Sequence, residues 1–226
     1  MTIELLARPL YGFSQVDDLL RLPAGTARRW INGYERRGHR YLPVVREQST
    51  GSELVTWGEF VETKLLAAYR DKGVAMLRMR PAVERLREVL KTPYPLAGTR
   101  LNVVNRELVA RVQDEVGLAE PLRLVVVRSG QLVWATAVEQ FIEEVEWGST
   151  GDEDLGVTRV RPFGSSSPVV IDPTVSFGEP SVRSIRTSVV AEEFRAGETF
   201  ESVAESFGLS ILEVSAAIRF EMRRAA

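Results

Sequence analysis

The sequence predicts a mainly α protein with small β elements: an N-terminal winged helix-turn-helix, a middle α+β segment with a hairpin, and a C-terminal trihelical, helix-turn-helix-like domain. Three observations predict it. Two short helical patterns flank the breaker Pro23-Ala24-Gly25. Paired apolar runs later flank polar turn residues, and Gly197 and Gly208 divide the C-terminal stretch into three helices.

The first helix runs from Ser14 to Leu22, with Ser14 as its cap and Asp17 favouring the positive end of the helix dipole. Pro23 and Gly25 stop it and permit a corner. Thr26 caps a second helix reaching Tyr34, whose first turn presents Arg28 and Arg29 away from the apolar Val16, Leu19 and Ile31. Strands over Tyr41–Arg46 and Glu53–Trp57, joined by Ser49-Thr50-Gly51-Ser52, make the wing. Phe60, Val61, Leu65, Leu66 and Tyr69 recur at helical spacing over Trp57–Arg70, Lys72-Gly73 breaks that pattern, and Pro81 opens another helix to Leu90.

Thr92-Pro93-Tyr94-Pro95 forbids helix and marks a boundary, dividing the chain into residues 1–92, 93–164 and 165–226. In the middle, Glu107–Val116 reads as a helix. Leu122–Arg128 and Gln131–Ala135 form a hairpin about Ser129-Gly130, and Thr136 caps a helix to about Trp147. Gly148–Asp154 and Gly164–Pro168 read as exposed loops. An extended Val169-Val170-Ile171 and an Asp172-Pro173 turn then lead to helices near 187–196, 199–207 and 210–223.

Charge is divided along the chain. Residues 1–92 hold 16 Lys/Arg against 11 Asp/Glu, whereas the rest holds 13 against 20. A basic front joined to an acidic rear suggests a polyanion-facing domain coupled to another function. The 226 residues are 44% hydrophobic, enough to fill two or three small cores, which excludes disorder as a description of the chain. Absence of cysteine removes disulfides, thiolate nucleophiles and Cys-based zinc sites. Neither a signal peptide nor a membrane-length apolar run is present, so the expected location is cytoplasmic, with no membrane partner.

Residues near 11–90 resemble the MerR-like winged helix-turn-helix DNA binders. Thr26-Ala27-Arg28-Arg29-Trp30 matches the start of that family's recognition helix, with Arg28 on its contacting arginine, while Arg37-Gly38, Leu42-Pro43 and Arg46 match the entry to its wing. Independently, an arginine-rich helix N-terminus offers forked donors to guanine or phosphate. The DNA-binding candidates are Ser14, Thr26, Arg28, Arg29, Trp30, Asn32, Arg36, Arg37, His39, Arg40 and Arg46. The turn from Gln48 to Glu53 has no basic residue and Glu53 repels phosphate, so this wing is expected to grip DNA weakly.

The rear resembles a trihelical domain of unknown function found in VapB-type antitoxins. Ile171-Asp172-Pro173, Phe177-Gly178-x-Pro180, Val182-x-Ser184-x-Arg186, Gly197-Glu198-Thr199 and Phe207-Gly208-Leu209-Ser210 carry that likeness. Where the family commonly has Gly-Thr-Arg-Ile, this chain has Ser184-Ile185-Arg186-Thr187. The resemblance implies an antitoxin that binds operator DNA as a homodimer and neutralises a PIN-like ribonuclease toxin. The face of Phe60, Leu65 and Tyr69 is one place for a second subunit.

The last helix is mostly apolar or acidic, which favours protein contact over phosphate; the partner-binding candidates are Glu198, Glu201, Glu205, Leu212 and Phe220. No enzyme is expected. His39 is the sole histidine, and no Walker, Gly-x-Gly-x-x-Gly or Gly-x-Ser-x-Gly pattern occurs, so neither cofactor nor metal is called for. The alternatives are a stand-alone MerR-like regulator with a ligand-sensing rear domain, or a scaffold that binds only protein.

Overall fold

The computed structural model describes residues 4–70, 75–98, 106–129, 131–151 and 154–225. They fall into two compact units, Met1–Ile142 with Gly148–Val157, and Glu143–Trp147 with Thr158–Ala226.

The first unit opens with β1 (Pro9–Gly12), α1 (Phe13–Leu19) and α2 (Thr26–Asn32). Next come β2 (Tyr34–Arg36), β3 (His39–Tyr41), β4 (Leu54–Thr56), α3 (Trp57–Ala67) and α4 (Arg80–Leu90). The ladders differ from expectation: β4 pairs antiparallel with β1, and β2 pairs with β3. Residues 42–47 are not a strand. The Trp30 carbonyl accepts from the Val44 and Val45 amides at 2.7 and 3.0 Å, and Arg80 and Arg87 on α4 donate to the carbonyls of Pro43 and Val45. Those bonds satisfy the backbone that a ladder would otherwise take.

Thr56 and Glu59 form a reciprocal capping box at the start of α3. From there the helix buries Trp57, Phe60, Leu65 and Leu66 completely, and Tyr69 beyond its end is 1% exposed. Burial of each such side chain contributes about 2 kcal/mol. Phe60, Leu65 and Tyr69, expected as a subunit face, therefore fill this unit's own core. The Phe60 ring lies 4.9 Å from Tyr11 and 5.3 Å from Trp57, whose indole N–H donates to the Val157 carbonyl at 2.6 Å. The breaker at Lys72-Gly73 lies outside the described residues.

Further along, α5 (Arg106–Glu115), β5 (Val125–Arg128), β6 (Gln131–Trp134) and α6 (Thr136–Glu143) lie close to the expected elements. Val125 pairs with Trp134 and Arg128 with Gln131, while Gly130 of the anticipated turn lies outside the described residues. Gln113 ties α5 to the hairpin: its amide donates to the Val125 carbonyl at 2.5 Å and its oxygen accepts from the Leu124 and Val125 amides. The helix after Thr136 stops at Glu143 instead of reaching Trp147. Residues expected as helix end and polar loop instead form the ladder of β7 (Val145–Gly151) and β8 (Asp154–Val160). Val145, Trp147, Val157 and Val160 supply the β-branched and aromatic side chains that suit a pleated surface.

The second unit continues with β9 (Ser181–Val182), β10 (Ile185–Arg186), α7 (Thr187–Arg195), α8 (Phe200–Phe207) and α9 (Ile211–Ala225). Asp172 shapes the turn before them by accepting from the Thr174 amide and hydroxyl. Thr199 caps α8 by accepting from the Ser202 amide, Gly208 ends it in the left-handed conformation, and Ser210 with Glu213 forms a capping box for α9. Val190, Val203, Val214 and Ala217 close the core among the three helices.

Candidate nucleic-acid interface

The corner between α1 and α2 is held by a side chain expected to serve elsewhere. Residue 12, a glycine, is the N-cap of α1, so Ser14 sits inside that helix, exposed. Gly25, with φ of 76°, is the N-cap of α2, so Thr26 is its first residue and caps nothing. Asp17 takes over the capping role. Its carboxylate, on a residue only 6% exposed, accepts from the Gly25 amide at 2.6 Å and from the Ala27 amide at 2.7 Å. A buried anion on the free N–H groups of a helix both satisfies them and suits the dipole. The sequence carries only half of that signal: Asp17 and Asp18 both lie between the buried Val16 and Leu19, and the fold turns Asp17 inward and leaves Asp18 exposed.

With α2 so fixed, Arg28 and Arg29 are exposed while Trp30 and Ile31 point inward. Arg28 forms an ion pair with Glu53, both side chains more than half exposed, and its guanidinium lies 5.2 Å from the centre of the Phe13 ring. Arg29 donates to the Thr26 hydroxyl at 2.9 Å. Neither Phe13 nor the attractive role of Glu53 was anticipated.

The chain leaves α2 through Gly33, whose φ of 73° and close carbonyl neighbour demand glycine: a Cβ there would stand 2.5 Å from the Tyr41 oxygen. It then rises into the β2–β3 ribbon, where Tyr34 opposes Tyr41, Glu35 opposes Arg40 and Arg36 opposes His39. Arg37 (φ 53°) and Gly38 (φ 73°) make the left-handed two-residue turn at the tip. Tyr34 and Tyr41 stack at 4.6 Å and His39 meets Tyr41 edge-on at the same distance, stiffening the ribbon. Every residue from Glu35 to Arg40 is exposed. The ribbon is thus basic, whereas the segment expected to form a weakly charged wing is a loop over residues 42–53 followed by the short β4, which pairs with β1.

Arg46 and Asn32 lie behind this surface. Arg46, 8% exposed, makes a forked pair with Glu59 at 2.6 and 3.1 Å, and donates to Asn32, Thr50, Ser52 and Leu54. Asn32 also accepts from Ser49 and from the Thr50 amide. Arg46 ties the end of α2, the loop before β4 and the capped start of α3 into one block. Of the predicted contact residues, Ser14, Arg28, Arg29, Arg36, Arg37, His39 and Arg40 are exposed. Thr26, Trp30 and Arg46 are buried and Asn32 is half-buried.

In the second unit, Glu198, Glu201 and Glu205 are exposed and Leu212 is 77% exposed, but Phe220 is 5% exposed and packs edge-on against Phe163.

Residues 9–83 match the family described as "Putative DNA-binding HTH domain", and residues 169–220 match "Protein of unknown function (DUF433)". Rv2308 of Mycobacterium tuberculosis (strain ATCC 25618 / H37Rv) is 37% identical over 225 residues, spanning 96% of this chain and 92% of that protein. A second protein of that strain, named "Putative antitoxin VapB45", is 31% identical over 219 residues, 89% of each chain. The chain belongs to the family of these two proteins. The X-ray crystal structure of Rv2018 from Mycobacterium tuberculosis shares the fold as well, with a TM-score of 0.74 at 27% identity over 93% of this chain and 97% of that one. In this VapB45-related family member, the block built on Asp17 and Arg46 lies within residues 9–83, the part that matches the helix-turn-helix family model.

Proposed function

We propose that the protein is an antitoxin of a type II toxin–antitoxin system, binding operator DNA through a MerR-like front and neutralising a PIN-like ribonuclease toxin by protein contact. The observation that carries the DNA half is the exposed basic surface of α2 and the β2–β3 ribbon: Arg28, Arg29, Arg36, Arg37, His39 and Arg40 face solvent on elements fixed from beneath. Arginine forks suit guanine edges and phosphates, and a stiff two-stranded ribbon suits a groove. In this reading Arg46, Trp30, Thr26 and Asn32 hold that surface in place, and Arg28 exchanges Glu53 for DNA. The likeness to a protein named as an antitoxin supports the toxin half.

The functional division follows the chain: residues 1–92 for DNA, 93–164 as a middle segment and 165–226 as the trihelical partner-facing domain. The assembly on a two-fold operator is a homodimer acting in the cytoplasm. Two measurements test this. A gel shift against DNA upstream of the gene should be lost on Arg28→Ala with Arg29→Ala, and the product of the neighbouring gene should co-purify with the chain and lose its toxicity when bound. A shift unchanged by the double substitution sinks the DNA assignment; a neighbour that neither binds nor is silenced sinks the antitoxin.

A further inference from the structure

The second unit carries a groove of about 560 Å³ lined by Pro162, Phe163, Ala216, Arg219, Arg223 and Glu144 among others. We propose that this groove receives an acidic segment of the partner protein carrying an apolar side chain, with Arg219 and Arg223 clamping its carboxylates. The inference deepens the antitoxin reading and rests on it.

Arg219 and Arg223 stand one helical turn apart on α9, so their guanidinium groups serve one face. Among the described residues neither has a carboxylate partner. Other arginines of the same unit do: Arg159 pairs with Asp172, Arg161 with Glu146 and Arg183 with Glu213. Both groove arginines are nevertheless held in place. Arg219 donates to the Ser215 hydroxyl at 3.2 and 2.8 Å, and Arg223 lies 4.9 Å over the Phe163 ring. Phe163 is itself fixed edge-on at 5.8 Å by the buried Phe220. An arginine ordered before binding loses less freedom when it meets a carboxylate, and its fork accepts one in two parallel bonds.

The apolar part of the site sets the second requirement. Phe163 is 37% exposed beside Pro162 and Ala216, a surface that rewards an apolar side chain between the clamped acids. Glu144 in the lining, together with Glu192, Glu193, Glu198, Glu201 and Glu205 exposed on and between α7 and α8, disfavours a duplex as the occupant, since its charge repeats along the whole length. A short acidic segment meets one lining glutamate, Glu144, against two arginines, and need not extend over the glutamates of α7 and α8.

The test titrates the purified product of the neighbouring gene into the full-length chain and into its Arg219→Glu/Arg223→Glu variant, with operator gel shift and thermal melting alongside. The variant should bind at least tenfold more weakly, with wild-type binding falling as salt rises, while operator shift stays unchanged. Phe163→Ala should weaken binding with little salt dependence. If charge reversal lowers the melting temperature, Arg219→Gln/Arg223→Gln gives the same comparison in a milder form. Equal affinity of wild type and variant overturns the groove assignment and leaves the antitoxin standing. Wild type that shifts operator DNA but does not bind the neighbouring protein overturns the antitoxin reading, and the groove assignment with it.

Discussion

Asp17 of α1 accepts a hydrogen bond from the Ala27 amide of α2 at 2.7 Å, so the first helix supplies the cap of the second. The same carboxylate holds Gly25. The angle at which Arg28 and Arg29 are presented depends on this one buried group. Asp17→Ala should therefore cost about 1–2 kcal/mol of stability, the usual worth of a helix cap, read by thermal or urea unfolding. Asp17→Asn, which keeps an acceptor but not the charge, should fall between. Operator affinity should decline further than the small unfolded fraction explains. An Ala variant that melts as the wild type does would show that the cap is not holding the corner.

Part of the helical framework was legible from local punctuation, since Pro81 stands in the first turn of α4 and Gly197 and Gly208 separate the C-terminal helices. Ser14 and Thr26, by contrast, read as caps but lie inside their helices, and the cap of α2 comes from Asp17. The wing was not legible in the same way. Val44 and Val45 look like a strand, yet their amides donate to the Trp30 carbonyl and the carbonyls of Pro43 and Val45 accept from Arg80 and Arg87, partners that no local pattern names. The true ribbon is three residues a side and is marked only by Arg37-Gly38 between two tyrosines. Similarly, the pattern of Val145 and Trp147 fits a helix face as well as a strand, and pairing of β7 with β8 decides it. Exposed arginines of the candidate interface were readable from composition. Arg46 was not, since its burial depends on Glu59, which the fold brings to it.

The Arg28–Glu53 pair lies on the surface, where such pairs contribute about 0–1 kcal/mol. Removing the acid should leave stability almost unchanged and free the guanidinium for DNA. Glu53→Gln should tighten operator binding several-fold and steepen its salt dependence, the slope of log affinity against log salt growing by up to about one for a new phosphate contact. Weaker binding would mean that Glu53 orients Arg28 for DNA and does not compete with it.

The ribbon and α2 should separate in a comparison of operator with unrelated duplex. Replacing Arg36, Arg37 and Arg40 with alanine should weaken binding to both alike and flatten the salt slope by about one per lost phosphate contact, since these side chains stand on a narrow exposed tip. Arg28→Ala should reduce operator affinity more than affinity for unrelated DNA, by about 1–3 kcal/mol if it reads a base. Equal discrimination in both variants would place sequence reading elsewhere.

Arg46→Met tests positioning against contact. Removing one partner of a buried, forked pair strands the Glu59 carboxylate and should cost about 3–5 kcal/mol. The expected signature is a lower unfolding midpoint with operator affinity retained in proportion to the folded fraction. Replacing both partners, Arg46→Met with Glu59→Leu, should recover part of the loss, because no charge is then left buried. A variant that stays fully stable but loses DNA would make Arg46 a contact residue.

The Glu62 carboxyl gives the fold a pH dependence. Burial pushes it from an ordinary value of 4.5 up to about 8, against the lowering effects of the Leu96 amide and Arg87. The Leu96 amide donates to one oxygen at 2.8 Å, and the other has no partner. Below pH 4.5 both folded and unfolded chains hold the proton, so its contribution to stability is fully present. As pH rises from there towards 8 the unfolded chain releases the proton while the folded chain keeps it, and stability falls by about 1.4 kcal/mol per pH unit. Above 8 both are ionised and the slope vanishes. Glu62→Gln keeps an acceptor for Leu96 and cannot ionise, so its melting temperature should exceed that of the wild type at pH 8 and the advantage should shrink steadily towards pH 5. Calorimetric melts across that range decide it: parallel curves for the two proteins would mean that Glu62 is already ionised in the folded state.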